Sequence, residues 1–306
     1  MQSIIDTILS QLNSIILGKD NETRLALACL LAKGHLLIED LPGMGKTTLA
    51  HTLAKTLGLS FQRIQFTSDL LPADVVGMSI FNPEKQNFSL HKGPVFSQLL
   101  LADEINRASP KTQSALLEAM EENQVSIDGV SHHLPKPFFV IATQNPLFHA
   151  GTYPLPESQL DRFMMRISLG FPSAEAEKQI LLAEDQQLKL NSLEQVVDLE
   201  QLTQLQHSVT QIYASDSILN YIIALCQYSR SDEFNGEPLS PRAGKSLLNA
   251  ARSWAFTFNR DHVLVDDIQA VFEVVCQHRL SSGSENIHST GQSLAMQVIQ
   301  QIDPLA

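Results

Sequence analysis

The fold is decided by residues 35–48, which have the sequence His35-Leu36-Leu37-Ile38-Glu39-Asp40-Leu41-Pro42-Gly43-Met44-Gly45-Lys46-Thr47-Thr48. The apolar run at the start predicts a short buried strand, and the apolar-periodic segment from Leu49 to Leu57 predicts a helix. A loop with glycine and proline joins the two. In such an arrangement, bare backbone N–H groups and the positive end of the helix dipole surround phosphate groups. We therefore predict that the loop binds a nucleoside triphosphate.

The loop carries the side chains that this ligand requires. We expect Lys46 to reach the β- and γ-phosphates and the hydroxyl of Thr47 to ligate Mg²⁺. Asp40 departs from the full phosphate-loop pattern, which has glycine at that position, so only the second half of the pattern fits strictly. Gly43 and Gly45 still permit close approach of the backbone. The residues predicted to contact ATP in this stretch are Asp40, Pro42, Gly43, Met44, Gly45, Lys46, Thr47 and Thr48.

A second apolar run, from Phe96 to Ala102, ends in Asp103 and Glu104. Such a run is typical of a central parallel strand that is buried on both faces. Ligands of open α/β sheets bind at the carboxyl ends of such strands. Because neighbouring side chains on a strand point in opposite directions, the two acids can have different roles. We predict that Asp103 holds Mg²⁺ through water and that Glu104 polarises the attacking water.

Three further segments are candidates for this site. Asn145 ends another buried strand, where it could hydrogen-bond the γ-phosphate or simply form a turn. Arg242 follows Ser-Pro at a helix start, where a cation opposes the helix dipole. That unfavourable location indicates a ligand, such as a nucleotide phosphate. Ile16, Leu17 and Gly18 follow the first helix, and the two apolar side chains either contact the adenine or pack in the core.

The bulk composition limits the classes of function. The 306 residues have a formal net charge of −12 and a pI of about 5.2, which disfavours a broad phosphate-binding surface for duplex DNA. The three cysteines are far apart, and the adjacent His132 and His133 have no third metal ligand nearby. No apolar stretch reaches membrane-spanning length, and no signal-peptide pattern begins the chain. We expect a cytoplasmic protein without a membrane span.

The chain is predicted to divide into two domains at Pro172. Residues 1–171 alternate strands and helices, which predicts an α/β domain with a parallel sheet. Residues 172–306 are predicted to form helices only, the first from Ala174 to Gln187 and the last from Gly291 to Ile302. Alternating residues near 77–90 and 124–134 predict two β-hairpins within the first domain, the second with an Asp-Gly turn.

Taken in order, these motifs resemble those of the MoxR family of AAA+ ATPases. The resemblance extends from the first helix to about Leu280, and Asp40 is compatible with it. It implies a P-loop NTPase fold, an αβα sandwich followed by an α-helical lid, assembled as a ring that we expect to be a hexamer. The phrases that carry it are Glu39–Gly43, Ala102–Ala108, Ala142–Pro146, Leu160–Phe163 and Ser240–Arg242.

The resemblance also implies roles for individual residues. By carry-over, Lys46 and Thr47 belong to Walker A, Asp103 and Glu104 to Walker B, Asn145 to sensor 1 and Arg242 to sensor 2. Arg162 resembles the arginine finger, which inserts into a neighbour's site and supplies a cation to the transition state. Arg107 is a weaker candidate for a contact between subunits. The two hairpins resemble insertions that face a central pore or a partner.

Several functions remain open at this point. The resemblance implies an ATP-hydrolysing, chaperone-like remodeller of a partner protein, often one with a von Willebrand factor A domain and sometimes a metal-dependent enzyme. A DNA-acting motor is the main alternative, which the acidic charge and the few basic residues of the first hairpin disfavour. A nucleotide-gated scaffold is a third hypothesis, which the presence of Glu104 disfavours. A small-molecule kinase fits the lid arginine and the finger least well.

Overall fold

A computed structural model describes residues 2–83, 86–146, 151–182, 186–281 and 292–304. Its main sheet has five parallel strands in the order β2-β5-β8-β1-β9, and two antiparallel hairpins lie outside it. The strands are β1 (Leu36–Glu39), β2 (Phe61–Gln65), β3 (Gly77–Asn82), β4 (Asn87–Lys92), β5 (Leu99–Asp103), β6 (Gln124–Ile127), β7 (Val130–His133), β8 (Phe139–Gln144) and β9 (Met165–Ile167).

Helices cover both faces of the main sheet and continue beyond it. They are α1 (Gln2–Ile15), α2 (Asp20–Leu31), α3 (Lys46–Thr56), α4 (Pro72–Val76), α5 (Pro110–Glu122), α6 (Glu157–Leu160), α7 (Ala174–Leu182), α8 (Gln186–Asn191), α9 (Leu199–Thr210), α10 (Asp216–Tyr228), α11 (Pro241–Thr257), α12 (Val265–Leu280) and α13 (Leu294–Gln301). None of the described helices is both long and apolar enough to cross a membrane.

The apolar runs form the central strands because their side chains alternate between two cores. Leu36 and Ile38 of β1 face one core, whereas Leu37 faces the other. In the same way, Leu99 of β5 faces the first core and Leu100 the second. A strand buried on both faces has no polar side, which is why these segments lack an alternating pattern. The αβα sandwich predicted from the sequence is confirmed.

The first core joins the sheet to α1, α2 and α3 and continues without a break into the helices after residue 196. Polar contacts fix the same junction. The hydroxyl of Ser253 on α11 donates to the carbonyl oxygen of Ala28 on α2, and the amide of Gln206 on α9 donates to the carbonyl oxygen of Leu30. The helical lid is therefore packed against the α1–α2 side of the sheet.

The two hairpins lie where alternation predicted them, at β3–β4 and β6–β7. In the second, Asp128 and Gly129 have φ values of 51° and 78°, which a tight hairpin turn requires. Residues 84 and 85, in the turn of the first, lie outside the described residues. Phe81 and Phe88 are a cross-strand pair near that turn, with ring centroids 5.3 Å apart, and both are exposed.

The helix boundaries differ from the sequence prediction in two places. The predicted helix from Ala174 to Gln187 is divided between α7 and α8, and residues 183–185 lie outside the described part of the chain. The last helix was predicted from Gly291, which is also not described, whereas α13 begins at Leu294 after the N-cap Ser293. The Ser293 hydroxyl accepts a hydrogen bond from the backbone of Met296, and this cap sets the start.

Candidate nucleotide-binding site

The loop after β1 leaves room for phosphate beside its backbone. Gly43 and Gly45 both have φ of +86°, and a Cβ atom built on either would meet no described atom within 4 Å. Gly45 is the N-cap of α3, and as a glycine it has no side chain with which to cap the N–H groups of that helix. The first turn of a helix carries donors without partners within the helix. The geometry of this loop therefore fits the anionic group that the sequence predicted.

Lys46 lies over the loop and is held by it. Its ammonium nitrogen donates to the carbonyl oxygens of Asp40, at 2.6 Å, and Leu41, at 3.3 Å. Burial lowers the pKa of Lys46, while the negative charges of Asp40, Asp103 and Glu104 act in the opposite direction. Lys46 is therefore close enough to Asp103, at the end of β5, and to Glu104, just after it, for their charges to act on it.

Asp40, which stands where the general phosphate-loop pattern has glycine, makes contacts that the sequence did not show. The side chain is buried, and its carboxylate accepts hydrogen bonds from the hydroxyl of Ser168, at 2.7 Å, and from the backbone N–H groups of Leu169, at 2.5 Å, and Gly170, at 3.1 Å. A glycine could not make these bonds. Asp40 thus ties the phosphate loop to the segment after β9, and a contact of its side chain with ATP stays a prediction without support here.

Asp103 ends β5 and is held from the strands on both sides. The hydroxyl of Thr143 on β8 donates to one carboxylate oxygen at 2.5 Å, and the guanidinium of Arg63 on β2 donates to the other at 2.7 Å. The parallel pairing of β5 with β8 places Thr143 beside Asp103 at the carboxyl end of the sheet, whereas Arg63 reaches Asp103 from the middle of β2. Arg63 and Thr143 were not among the predicted site residues.

Glu104 follows in a backbone conformation that is uncommon for its residue type, with φ of 54°. Its N–H donates to the Thr143 hydroxyl at 2.9 Å. Its carboxylate accepts from the amide of Gln65, at 2.9 Å, and from the guanidinium of Arg107, at 2.8 Å. Arg107, predicted as a contact between subunits, therefore pairs with the acid of its own chain. Gln65 is the last residue of β2, next to β5, and this position could have indicated Gln65 as a site residue from the sequence.

Asn145 directly follows β8, next to these acids. Its carbonyl oxygen accepts a hydrogen bond of 3.5 Å from the amide of Asn106, which lies in the short 3-10 helix after Glu104. The buried Oδ1 atom of Asn106 has no hydrogen-bond partner among the described residues. The structure thus brings the predicted Asn145 close to the segment that follows Asp103 and Glu104 at the same edge of the sheet.

The segment after α1 combines core and surface positions. Ile16 is buried in the first core, so core packing accounts for it, whereas Leu17 is partly exposed. Gly18 has φ of 70°, and a Cβ atom there would meet Ala176 at 2.8 Å. The ammonium of Lys19 donates to the carbonyl oxygen of Phe171. These contacts join residues 16–19 to the start of the lid, and their role in binding adenine stays a prediction.

A Mg²⁺ site would depend on the nucleotide itself. Thr47 and Asp103 offer hydroxyl and carboxylate oxygens, which Mg²⁺ prefers. Within the described residues, no group of three or more His, Cys, Asp or Glu side chains could hold a metal. Two protein ligands with phosphate oxygens and water is the usual arrangement for this ion in nucleotide sites, so the residues fit it.

The two predicted arginines lie at the other edge of the sheet. Arg162 precedes β9, whose first residue pairs with Leu36 at the start of β1, whereas the phosphate loop follows the end of β1. The four residues of β1 span about 13 Å. Arg242 is the second residue of α11, and its guanidinium pairs with Glu121 on α5 rather than with a described group of the loop. The end of α5 lies at this edge, since the carbonyl oxygen of Met120 contacts the ring of His35 just before β1. The ion pair with Glu121 therefore places the first turn of α11 there as well.

A cavity of about 560 Å³ lies at this amino-terminal edge. It is lined by the residues just before β1, by the start of β8, by the end of α5, and by α9 and α11 of the lid. Its charged lining includes Lys33, Lys136, Arg162 and Arg242 against Glu121 and Asp161. The cavity is therefore suited to an anion, although it does not contain the phosphate loop.

Comparison with known proteins agrees with these arrangements. Residues 35–165 match the family described as ATPase family associated with various cellular activities (AAA), and residues 238–301 match the AAA lid domain. The chain is 39% identical over 285 residues to Chaperone MoxR1 of Mycobacterium tuberculosis, and the match covers 90% of this chain and 75% of that protein. The chain belongs to the MoxR family of AAA+ ATPases.

Two further relatives of this MoxR-family chain cover nearly its whole length. YeaC of Bacillus subtilis is 45% identical over 280 residues, which are 92% of this chain and 88% of that protein. A crystal structure from Cytophaga hutchinsonii, classed provisionally as an ATPase, is 35% identical with a TM-score of 0.86, covering 99% of this chain and 95% of that one. The family predicted from the motifs is confirmed. The boundary between residues 171 and 172 stays a prediction.

Proposed function

We propose that this MoxR-family chain hydrolyses ATP at sites formed between adjacent subunits of a ring, expected to be a hexamer, and remodels a partner protein. One subunit contributes the phosphate loop with Thr47, Asp103, Glu104 and Asn145. The next contributes Arg162 and Arg242. The function rests on one observation, the placement of these two sets of residues at opposite edges of the same parallel sheet.

That separation supports a shared site for a geometric reason. The phosphate loop and the two acids lie at the carboxyl ends of the strands, whereas Arg162 and Arg242 lie near the amino ends of β1 and β9. An arginine side chain cannot extend around the sheet to its own loop. A ring places the amino-terminal edge of one subunit against the carboxyl-terminal edge of the next, because cyclic assembly joins two different surfaces.

Within such a site each residue of the chain has a defined task. Lys46 and the N–H groups of the loop bind and orient the phosphates, and Asn145 orients the γ-phosphate or the water. Glu104 accepts a proton from the water as it attacks. The bonds from Gln65 and Arg107 both end on its Oε2 atom, so Oε1 is the oxygen that takes the proton. Mg²⁺ held by Thr47 and Asp103 would neutralise phosphate charge. Arg162 and Arg242 stabilise the charge that develops in the transition state.

The partner protein is inferred from the family and from one surface. A relative is named as a chaperone, and the β3–β4 hairpin presents the exposed pair Phe81 and Phe88. Exposed aromatic side chains are typical of protein contacts rather than of a solvated loop. We propose a protein client, with a von Willebrand factor A domain as the expected type.

Mixing two inactive variants tests the shared site. Lys46→Ala disables a subunit's own loop, and Arg162→Ala disables the site of its neighbour. Each alone should have little ATPase activity, and a mixture should recover part of it at interfaces that combine an intact loop with an intact finger. Activity of the wild-type protein should also rise per subunit with protein concentration. Full activity of Arg162→Ala, or of a dilute monomer, would exclude the ring mechanism.

A trapped variant tests the client. Glu104→Gln should bind ATP without hydrolysing it, so that a client present in the source cell extract stays bound only with ATP. A retained protein with a von Willebrand factor A domain would support the proposal. Retained nucleic acid, with ATPase stimulation by single-stranded DNA that falls steeply with salt, would favour the DNA motor instead. An empty trap with slow single-turnover hydrolysis would favour the scaffold.

A further inference from the structure

We propose that Glu121 is the positioning residue that holds Arg162 and Arg242 together as one cationic unit, to be presented to the neighbouring subunit's nucleotide. The inference rests on the proposed function, since it concerns the arginine side of the same shared site. It assigns a task to an acidic residue on α5 that no motif singled out.

The carboxylate of Glu121 contacts both arginines, one through each oxygen. Oε2 lies 2.5 Å from a terminal guanidinium nitrogen of Arg162, and Oε1 lies 3.2 Å from one of Arg242. The two arginines come from different parts of the fold, one before β9 and the other from the first turn of α11 in the lid. Glu121 is the only carboxylate within 4 Å of both guanidinium groups among the described residues.

Charge explains why such a residue is needed. Two guanidinium groups that converge on one phosphate repel each other before the phosphate is present. A carboxylate between them attracts both guanidinium groups, which offsets their mutual repulsion. The group of three then keeps one net positive charge. The unit therefore still attracts an anion. Because both guanidinium groups contact one carboxylate, they are already held close to each other.

Other contacts fix the unit to the body of the protein. Arg162 also donates to the carbonyl oxygen of Leu117, one turn earlier on α5, at 2.7 Å. Asp161, next to it, is held by the buried guanidinium of Arg279 on α12 at 2.6 Å and lies 4.0 Å from Arg242. By contrast, Arg242 is half exposed, and Glu121 makes its shortest ion pair. Loss of Glu121 should thus release Arg242 most and loosen Arg162.

The substitution Glu121→Gln keeps the shape and removes the charge. The adjacent, exposed Glu122 offers a matched control, Glu122→Gln, on the same helix. We expect kcat for ATP hydrolysis to fall about tenfold to a hundredfold in Glu121→Gln, because small displacements of catalytic groups cost rates of that order. The KM for ATP and the thermal unfolding midpoint should stay close to those of Glu122→Gln. Glu121→Asp, which restores the charge, should recover part of kcat.

A test in mixed rings separates positioning from general damage to α5. If Glu121 acts through the arginines, the defect belongs to the neighbouring subunit's site. Mixing Glu121→Gln with Lys46→Ala should therefore restore activity, at roughly a quarter of the interfaces in a random equal mixture. Unchanged kcat in Glu121→Gln would overturn the proposal. So would a loss that Lys46→Ala cannot restore while it does restore Arg162→Ala.

The same experiment distinguishes failure of the inference from failure of the proposed function. Arg162→Ala mixed with Lys46→Ala reports on the shared site without involving Glu121. If that mixture stays inactive, the ring mechanism and this inference both fall. If it recovers activity and the Glu121→Gln mixture does not, only the inference falls.

Discussion

The hydroxyl oxygen of Thr143 lies 2.5 Å from a carboxylate oxygen of Asp103. The same hydroxyl accepts a hydrogen bond of 2.9 Å from the backbone N–H of Glu104. Thr143 is fully buried on β8, so one side chain of the neighbouring strand fixes both acids at the end of β5. Their arrangement depends on a residue that no sequence pattern assigned to the site.

We expect Thr143→Val to disturb both acids, because it removes the hydroxyl while keeping the shape of the side chain. The buried Asp103 loses a donor, which should lower the free energy of unfolding by about 1–3 kcal/mol, and kcat should fall about tenfold. Thr143→Ser keeps the hydroxyl and should retain most activity. Denaturant unfolding and steady-state ATPase assays measure the two effects. Equal loss of activity in the two variants would contradict the role of the hydroxyl.

Gly45→Ala should impair nucleotide binding far more than folding. The backbone at Gly45 has φ of +86°, where an alanine costs about 1–2 kcal/mol, and its Cβ atom would enter the space beside the loop. Gly129→Ala is a matched control, because Gly129 has φ of +78° and equally open surroundings in the β6–β7 turn. Both variants should lose similar stability. Only Gly45→Ala should lose binding of a fluorescent ATP analogue, and retained affinity would remove this loop from the site.

Asp40→Gly would restore the general phosphate-loop pattern and should nevertheless destabilise the protein. The buried carboxylate accepts three hydrogen bonds from residues 168–170, and bonds to a charged group contribute about 1.5–3 kcal/mol each when measured singly. Ser168→Ala removes one of them and should cause a smaller loss. Chemical denaturation gives both values. A variant as stable as the natural chain would show that Asp40 does not hold this junction.

His35 should make the protein sensitive to mild acid. Its Nδ1 accepts from the backbone N–H of Val140 and its Nε2 donates to the carbonyl oxygen of Met120, while burial lowers its pKa from 6.5 to about 4. The folded state keeps the ring neutral, whereas the unfolded chain takes up a proton below pH 6.5. Stability is therefore fully present above pH 6.5 and is lost between pH 6.5 and about 4, by at most about 1.4 kcal/mol per pH unit.

The variant His35→Gln can make both hydrogen bonds without titrating, so it should flatten that pH dependence. The exposed His207 provides the control His207→Gln, which should leave the slope unchanged. Unfolding free energies measured at several pH values between 4 and 7 give the slope for the natural chain and for each of the two variants. The same slope in all three proteins would assign the acid sensitivity to other groups.

Local patterns predicted the fold, and they predicted candidate site residues that the structure places together at the carboxyl ends of the strands, among them Lys46, Asp103 and Glu104. Apolar runs predicted the buried strands, because a strand covered on both faces needs no polar side. The glycine loop predicted a phosphate site, which stays a prediction. The Asp-Gly pair in the second hairpin fixed its turn. What could not be predicted depends on elements that meet only in the folded chain. Glu121 and Arg242 are 121 positions apart, and Asp40 meets Gly170 across 130 positions.

The position of Arg242 shows the same limit. Its unfavourable place at a helix N-terminus indicated a ligand, but nothing in the sequence stated which edge of the sheet the lid would cover. That choice is made by packing of α11 on α2, where the hydroxyl of Ser253 meets the carbonyl oxygen of Ala28. The resemblance to a family supplied the finger role of Arg162, whereas its pairing with Glu121 required the structure.

The continuous core shared by α1, α2 and the lid has a consequence for motion. In a protein whose lid is joined by a flexible hinge, nucleotide turnover can rotate the lid relative to the nucleotide-binding domain. Here such a rotation would separate apolar side chains that pack in one core, including those of Leu27 and Leu247. Breaking that close packing would cost free energy. We expect each subunit to move as one rigid body. In the proposed ring, any motion driven by ATP would then occur at the interfaces between subunits.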